Sequence, residues 1–421
     1  MNKLLSLVPC RVCRESRALL SRSPPFRPSP YHRRLLSSSQ LQNPSSVESV
    51  LPDHPAPAPT PTHQPTTSAP VPPASPSVAD SGPIAALPKL PFRFETGIGL
   101  FAKRQPRPFP PPFLSPPSGS FSDPLSTHRK PKVDGQLIRG FTNGDDAVYA
   151  SDYFICANDG VGVWSKRPRG HAGLWSRLIL HYWVAAMEKD TLRHANSLSA
   201  TPGLDPSYQP DCVQYLQEAY ERTLTITAGP NECNGTTTAS GAQLHFRLAP
   251  DSGNTPSTQP IPVVHVTNLG DCEVLIVRPS THEVLFKSVE EWHWFGCPRQ
   301  LGTNSPDTPV QNAKYNVVDI QVGDIVLAMS DGVIDNLWEH EIVDVVTHSL
   351  ERWEANEAGE QQACTRMAYT AEALLAAAKV VATDPFAESP FMERAIEMGL
   401  ASEGGKLDDI SVVAARCIAN E

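Results

Sequence analysis

GDDAVYASDYFICANDGVGVW, residues 144–164, sets two short apolar runs among aspartates. Ala147–Ala150 and Tyr153–Ala157 read as β-strands, with Asp145 and Asp146 leading into the first and Asp159-Gly160 closing the second. An Asp followed by Gly is ordinary turn composition. The pattern recurs, however: Ser330-Asp331-Gly332 follows the run Ile325–Ala328, and Leu407-Asp408-Asp409 leads into Ile410–Ala415. Carboxylates placed repeatedly at strand ends converge on one point, and there they repel one another unless cations sit among them. Hard oxygen donors suit Mg²⁺ or Mn²⁺. The expectation is a two-metal site.

Outward from these motifs, strands are expected at 92–103, 236–248, 263–268, 273–278, 283–286, 316–320 and 324–328. Helical periodicity covers 174–188, 212–225, 339–353, 365–382 and 389–398. The pieces 250–260 and 302–312 read as loops. Mostly antiparallel strands with helices covering the sheets imply a layered α+β sandwich.

The 421-residue chain has a formal net charge of −10, yet residues 1–47 hold Lys3 and seven Arg against Glu15 alone. Such an Arg-rich, Ser-rich, Leu-punctuated opening reads as a mitochondrial transit peptide over 1–42, with Arg34-Leu35-Leu36-Ser37 as a matrix-processing site. The expected address is therefore the mitochondrial matrix. Residues 43–90 are rich in Pro, Ala, Ser and Thr and read as a disordered linker. A catalytic domain is expected over 91–418, with a second Pro-rich stretch, 105–135, as a surface loop insertion. No run reaches the roughly 18 apolar residues of a membrane span. The acidic body argues against nucleic acid as a partner. Nine Cys, odd in number and scattered, read as reduced thiols.

With their flanking blocks, GTTTASGAQL (235–244), VTNLGDCEVLIV (266–277), GDIVLAMSDGVIDN (323–336) and GGKLDDISVV (404–413), the motifs resemble those of the metal-dependent Ser/Thr protein phosphatases of the 2C type. The wording NDGVG (158–162), the segment PFMERAIEMGL (390–400) and the expected address are most similar to the mitochondrial branch linked to coenzyme Q biosynthesis. The resemblance implies a four-layer αββα sandwich of two mainly antiparallel sheets, with the metal site between the sheets. It implies two Mg²⁺ or Mn²⁺ ions per site and, in some members, a weaker third. Asp159 would bridge both ions, with Asp331 and Asp408 completing the first. Asp145, where the family usually has Glu, and the Gly160 carbonyl would serve the second. Asp146 would orient the attacking water, and Asp271 and Asp335 match the third-ion positions. Expected partners are phosphorylated mitochondrial proteins, acted on by a monomer.

Two positions depart from the family pattern. Phe141 stands where many members carry a phosphate-binding Arg, the nearest upstream Arg being Arg139. Lys166, Arg167, Arg169 and His171, just past Asp159, are the other candidates for substrate phosphate. Val161 replaces a His that follows Asp-Gly in many members, which leaves His171 or metal-bound water as the leaving-group acid. Three readings follow: an active phosphoprotein phosphatase, a pseudophosphatase acting as a binding module, and a hydrolase of small phosphoesters.

Overall fold

The computed structural model describes residues 87–114, 131–197, 208–229, 232–250, 259–355 and 365–420. The transit peptide expected over 1–42 and the linker up to residue 86 lie outside the described residues. Two antiparallel sheets form the centre of the folded unit. The first runs in the order Phe92–Phe101, Ile410–Ala419, Ile325–Met329, Glu273–Arg278, Glu283–Lys287. The second runs Lys314–Asp319, Pro260–Leu269, Ala239–Leu248, Phe154–Asn158, Asp146–Ala150, Phe141–Asn143.

Strand periodicity explains how the layers stack. Successive side chains of a strand point to opposite faces. Ile410, Val412 and Ala414 therefore face one core, while Val413, Ala415 and Cys417 face another. Ile325, Leu327 and Met329 likewise oppose Val326 and Ala328. The central core lies between the sheets, where Val413 and Val326 meet Val148, Ile155 and Leu244. Outside the first sheet, helices Glu339–Glu354 and Arg366–Thr383 contribute Val346, Leu374 and Ala378. Outside the second, helices Ala172–Ser197 and Cys212–Thr227 contribute Ile179, Trp183 and Leu216. The result is the expected αββα sandwich. Because these strands are buried on both faces, their sequences are nearly continuous apolar runs.

Helix boundaries follow local chemistry. Asp211 accepts a hydrogen bond from the Gln214 N–H at 3.1 Å, and Thr365 from the Ala368 N–H at 3.2 Å. Both are side-chain N-caps, which satisfy donors that the first turn leaves unpaired. Ser389 caps helix Pro390–Glu397, with proline in its first turn.

Three expectations change. The run 236–248 divides into Thr236–Thr237 and Ala239–Leu248. The folded unit begins slightly before residue 91, since Leu90 is buried against Phe246. The second Pro-rich stretch is not simply a surface loop: Phe109 and Phe113 are buried with Leu174, Leu178 and Ile138. Residues 115–130 of that stretch lie outside the described residues. Among the described residues, no helix is long and apolar enough to cross a membrane.

Phe94 is 1 % exposed and belongs to the core between the sheets. Phe94→Ala should therefore lower stability by about 3–5 kcal/mol, read as a lower urea midpoint at an unchanged denaturant slope.

Candidate active site

Strand pairing brings the aspartates together. Asn143 pairs with Asp146 across a turn, and Ala147 pairs with Asn158, which sets Asp159 beside Asp146. In the other sheet Met329 pairs with Val412 and with Glu273, so Asp331, Asp409 and Asp271 emerge at the same end. Asn143 ties the two sheets there, its amide donating to the Ile410 carbonyl and to Ser411 Oγ, both at 2.9 Å. The Asp145 N–H donates to Asp409 Oδ2 at 2.9 Å, and the Lys103 N–H to Asp409 Oδ1 at 2.8 Å. One carboxylate thus fixes two loops.

Glycines allow these approaches. Gly144 has φ +63°, and a Cβ there would stand 2.2 Å from Asp409 Oδ2. A Cβ at Gly160 would meet the Asp145 carbonyl oxygen at 2.1 Å. Only glycine lets the Asp159 loop lie against the Asp145 turn. The Asp159 backbone is held as well: its N–H donates to Thr238 Oγ1 at 2.9 Å, and its carbonyl accepts from Thr237 Oγ1 at 2.9 Å.

Eight carboxylates face this region: Asp145, Asp146, Asp159, Asp271, Asp331, Asp335, Asp408 and Asp409. Among the described residues, four cations pair with them. Lys103 bonds Asp408, and Lys406 reaches Asp331 at 2.6 Å, Asp335, and Asp408 at 3.7 Å. Arg394 bonds Asp335, and Arg104 Nη2 lies 3.7 Å from Asp145 Oδ2. The imbalance shows in proton affinity. Burial, then the charge of Asp159, holds the Asp146 carboxyl well above the usual carboxylate range. Burial, then Asp331 and Asp408, does the same to Asp159. Burial raises Asp331 to about 6 against the pull of Lys406. Burial also acts to raise Asp408, but Lys406 and Lys103 outweigh it and hold that carboxyl low.

The donor set fits hard divalent cations. It is all oxygen, among the described residues its eight carboxyl groups outnumber the four cations paired with them, and the Oδ1 atoms of Asp146 and Asp271 are buried without a hydrogen-bond partner. Among the described residues, no three His, Cys, Asp or Glu side chains form a ready-made metal cage. Lys406 and Lys103 occupy the cluster instead, pairing with Asp331, Asp335 and Asp408 and so offsetting part of the cost of burying those carboxylates.

The other expected residues divide. Arg139 turns away from the cluster and pairs with Glu188 at 2.5 Å, so it is not placed to meet substrate phosphate. Its carbonyl is bound by Arg177, a buried structural cation. His171 is buried; its Nδ1 accepts from the Leu174 N–H at 3.0 Å and its Nε2 faces the Pro108 carbonyl at 3.3 Å. Burial, then Arg107, lowers its pKa. With both ring nitrogens engaged, it is not placed to serve as the leaving-group acid. Lys166 is exposed at the end of the 3₁₀ turn Gly162–Lys166. Arg167, Arg169 and His171 line a cavity of about 360 Å³ with Arg107, Pro110, Pro111, Gly170, Glu232 and Cys233. A small cavity of about 70 Å³ lies against the cluster itself, lined by Arg104, Gln105, Arg107, Gly144, Asp145, Ser165 and Asp409. A larger cavity of about 450 Å³ lies at the far end of strand Ile325–Met329, beside Arg278, Asp324 and Arg416, and holds none of the clustered carboxylates.

Sequence reading missed Lys103, Arg104, Arg107, Lys406 and the bridging role of Asp409. The signal was present. Phe101 pairs with Ile410, so the residues after one strand must lie beside those before the other.

No family model matches the chain. It is 31% identical over 275 residues to "Probable protein phosphatase 2C 80" of Arabidopsis thaliana, covering 65% of this chain and 54% of that protein. It is 35% identical over 158 residues to "Protein phosphatase PTC7 homolog" of Danio rerio, covering 36% of this chain and 49% of that protein. The chain thus spans about half the length of these curated relatives. Among solved structures, the photosystem II phosphatase PBCP aligns with a TM-score of 0.46 at 22% identity, covering 65% of this chain and 91% of that one. Both curated relatives are named as protein phosphatases, and the first is named as of the 2C type that the motifs of this chain resemble.

A carboxyl whose folded pKa is raised binds more protons folded than unfolded, so its stabilising contribution is complete below the unfolded pKa and is lost as pH rises through the folded one. For Asp331 that window runs from 3.8 to about 6. Chelator-treated protein should therefore lose stability between pH 4 and pH 7, by on the order of 1–3 kcal/mol for this group. Urea midpoints across that range check it, and Asp331→Asn should flatten the decline.

Proposed function

We propose that this protein hydrolyses phosphoserine and phosphothreonine in mitochondrial matrix proteins, using two divalent cations, Mg²⁺ or Mn²⁺, held in the carboxylate cleft. The observation that carries this reading is the excess of buried, converging carboxylates over the cations that face them. The names of the similar proteins support the phosphatase assignment. The mitochondrial address rests on the composition of residues 1–42, and a role in regulating coenzyme Q biosynthesis rests on the resemblance at 158–162 and 390–400.

Asp159, Asp331 and Asp408 would hold one cation. Asp159, Asp145 and the Gly160 carbonyl would hold the second, and Asp271 and Asp335 a weaker third. Cations bound there would supply an activated water and would neutralise charge on the phosphoryl oxygens. The chain's own groups do the rest. Asp146 accepts from Ser411 Oγ at 2.8 Å through Oδ2, which leaves Oδ1 free to orient the attacking water. Arg104, beside Asp145, takes the phosphate-binding part that Phe141 cannot supply. A guanidinium fork matches phosphate oxygens in pairs, so an Arg on a neighbouring loop can replace the missing one. Among the described residues the free cysteines Cys156, Cys212, Cys233, Cys272 and Cys417 are all buried, so none of them is placed as a nucleophile. Burial pushes the Cys417 thiol up to about 12 and Cys233 to about 11, the wrong direction for a thiolate nucleophile.

Asp159→Ala should lower turnover of a phosphopeptide with Mn²⁺ by at least about a thousandfold, with an unchanged circular dichroism spectrum. Wild-type activity in that variant would sink the proposal. Arg104→Ala should raise KM for the phosphopeptide and for p-nitrophenyl phosphate by about tenfold, measured by steady-state kinetics.

A further inference from the structure

The basic cavity beside the carboxylate cleft has no part in the chemistry above. In a chain of net charge −10, Arg107, Arg167 and Arg169 line one cavity of about 360 Å³. Arg107 also lines the small cavity against Asp145 and Asp409, so the two spaces share a wall. The arrangement is braced. Arg107 Nη2 donates to the Gly170 carbonyl at 3.0 Å, and the Asn234 N–H donates to the Arg169 carbonyl at 2.8 Å. Gly170 forms a bridge with Asn234, which fixes the 167–170 turn to the body of the protein. Among the described residues the one acid lining the cavity is Glu232, which holds Arg169 Nη1 at 3.1 Å in a solvent-exposed pair. An exposed pair of this kind contributes little and is readily exchanged for an incoming anion.

We infer that this cavity is a second anion subsite, and that the preferred substrates are phosphopeptides with a carboxylate or a second phosphate close to the residue being dephosphorylated. The inference rests on the phosphatase reading above. With the first phosphate beside Arg104, a second anion two or three residues along an extended peptide lies about 7–10 Å away, and the neighbouring cavity, which shares Arg107 with the first, is the space that would receive it. Guanidinium groups recognise carboxylate and phosphate by the same paired hydrogen bonds. The basic rim also attracts acidic segments to a protein whose overall charge would repel them.

The test uses the full chain with Mn²⁺ and phosphopeptides of identical length around one phosphoserine. Their flanks are neutral, acidic, basic, or carry a second phosphoserine, with the charges placed on either side. Expected is a kcat/KM about tenfold higher for the acidic or doubly phosphorylated peptides than for the neutral one, declining with added salt. Arg107→Ala should bring that ratio close to one. Arg169→Glu, on an exposed side chain, should reverse it in favour of the basic peptide. A gain with the second phosphoserine alone would identify phosphate as the ligand, and a gain with Asp or Glu flanks would extend it to carboxylate. Equal turnover of all peptides, or a preference that survives both substitutions, would overturn the inference and leave the phosphatase reading standing. Failure to hydrolyse any peptide or p-nitrophenyl phosphate would overturn both.

Discussion

Carboxylates crowded at one end of a two-sheet sandwich are the constraint on which the rest of this structure depends. The hydrophobic effect accounts for the layers: each central strand feeds one apolar face to the space between the sheets and the other to a helical layer. That driving force is indifferent to what stands at the strand ends. There, eight acidic side chains meet in a region from which water is largely excluded, and their mutual repulsion must be offset. Lys103 and Lys406 do this in part, by ion pairs with Asp408, Asp331 and Asp335. Asp409 does it differently, by accepting backbone N–H groups of Asp145 and Lys103. The buried and unpartnered oxygens of Asp146 and Asp271 mark where the compensation stops.

Much of the fold was legible because buried strands leave an unambiguous trace. The runs at 147–150, 325–328 and 410–415 fall within observed strands, since both faces of each are covered and nearly every residue must be apolar. The helices were legible from period and capping together, as at Asp211 and Thr365. The Pro-rich stretch after residue 105 misled for a physical reason. Proline content reports that a segment lacks regular hydrogen bonding, whereas burial is decided by single side chains, and here Phe109 and Phe113 supply it.

At the site, the acids were easier to read than the bases. Aspartates at strand ends are fixed by the sheet register, so sequence order nearly determines their convergence. A basic side chain is long, and its charge can serve a site several residues away or none at all. Arg139 is nearer than Arg104 in sequence to the Asp145 turn, yet it pairs with Glu188 while Arg104 reaches Asp145. The difference comes from pairing between the terminal strands: Phe92–Phe101 runs antiparallel to Ile410–Ala419 over ten residues, so Lys103 and Arg104 arrive opposite Asp408 and Asp409. That contact joins positions some three hundred residues apart, and no local pattern carries it.

The same long-range pairing gives the basic rim its meaning. A chain with more acidic than basic residues carries a net negative charge that disfavours acidic partners. The segment 103–107 brings Lys103, Arg104 and Arg107 across the mouth of the cleft, where the 167–170 turn adds Arg167 and Arg169. Inside the cleft Lys103 and Arg104 pair with carboxylates; just outside it, among the described residues, Arg107, Arg167 and Arg169 line a cavity with Glu232. A buried acid cluster favours cations, and an exposed basic rim favours anions. Placing one against the other allows a negatively charged peptide to approach a site whose floor is itself negative.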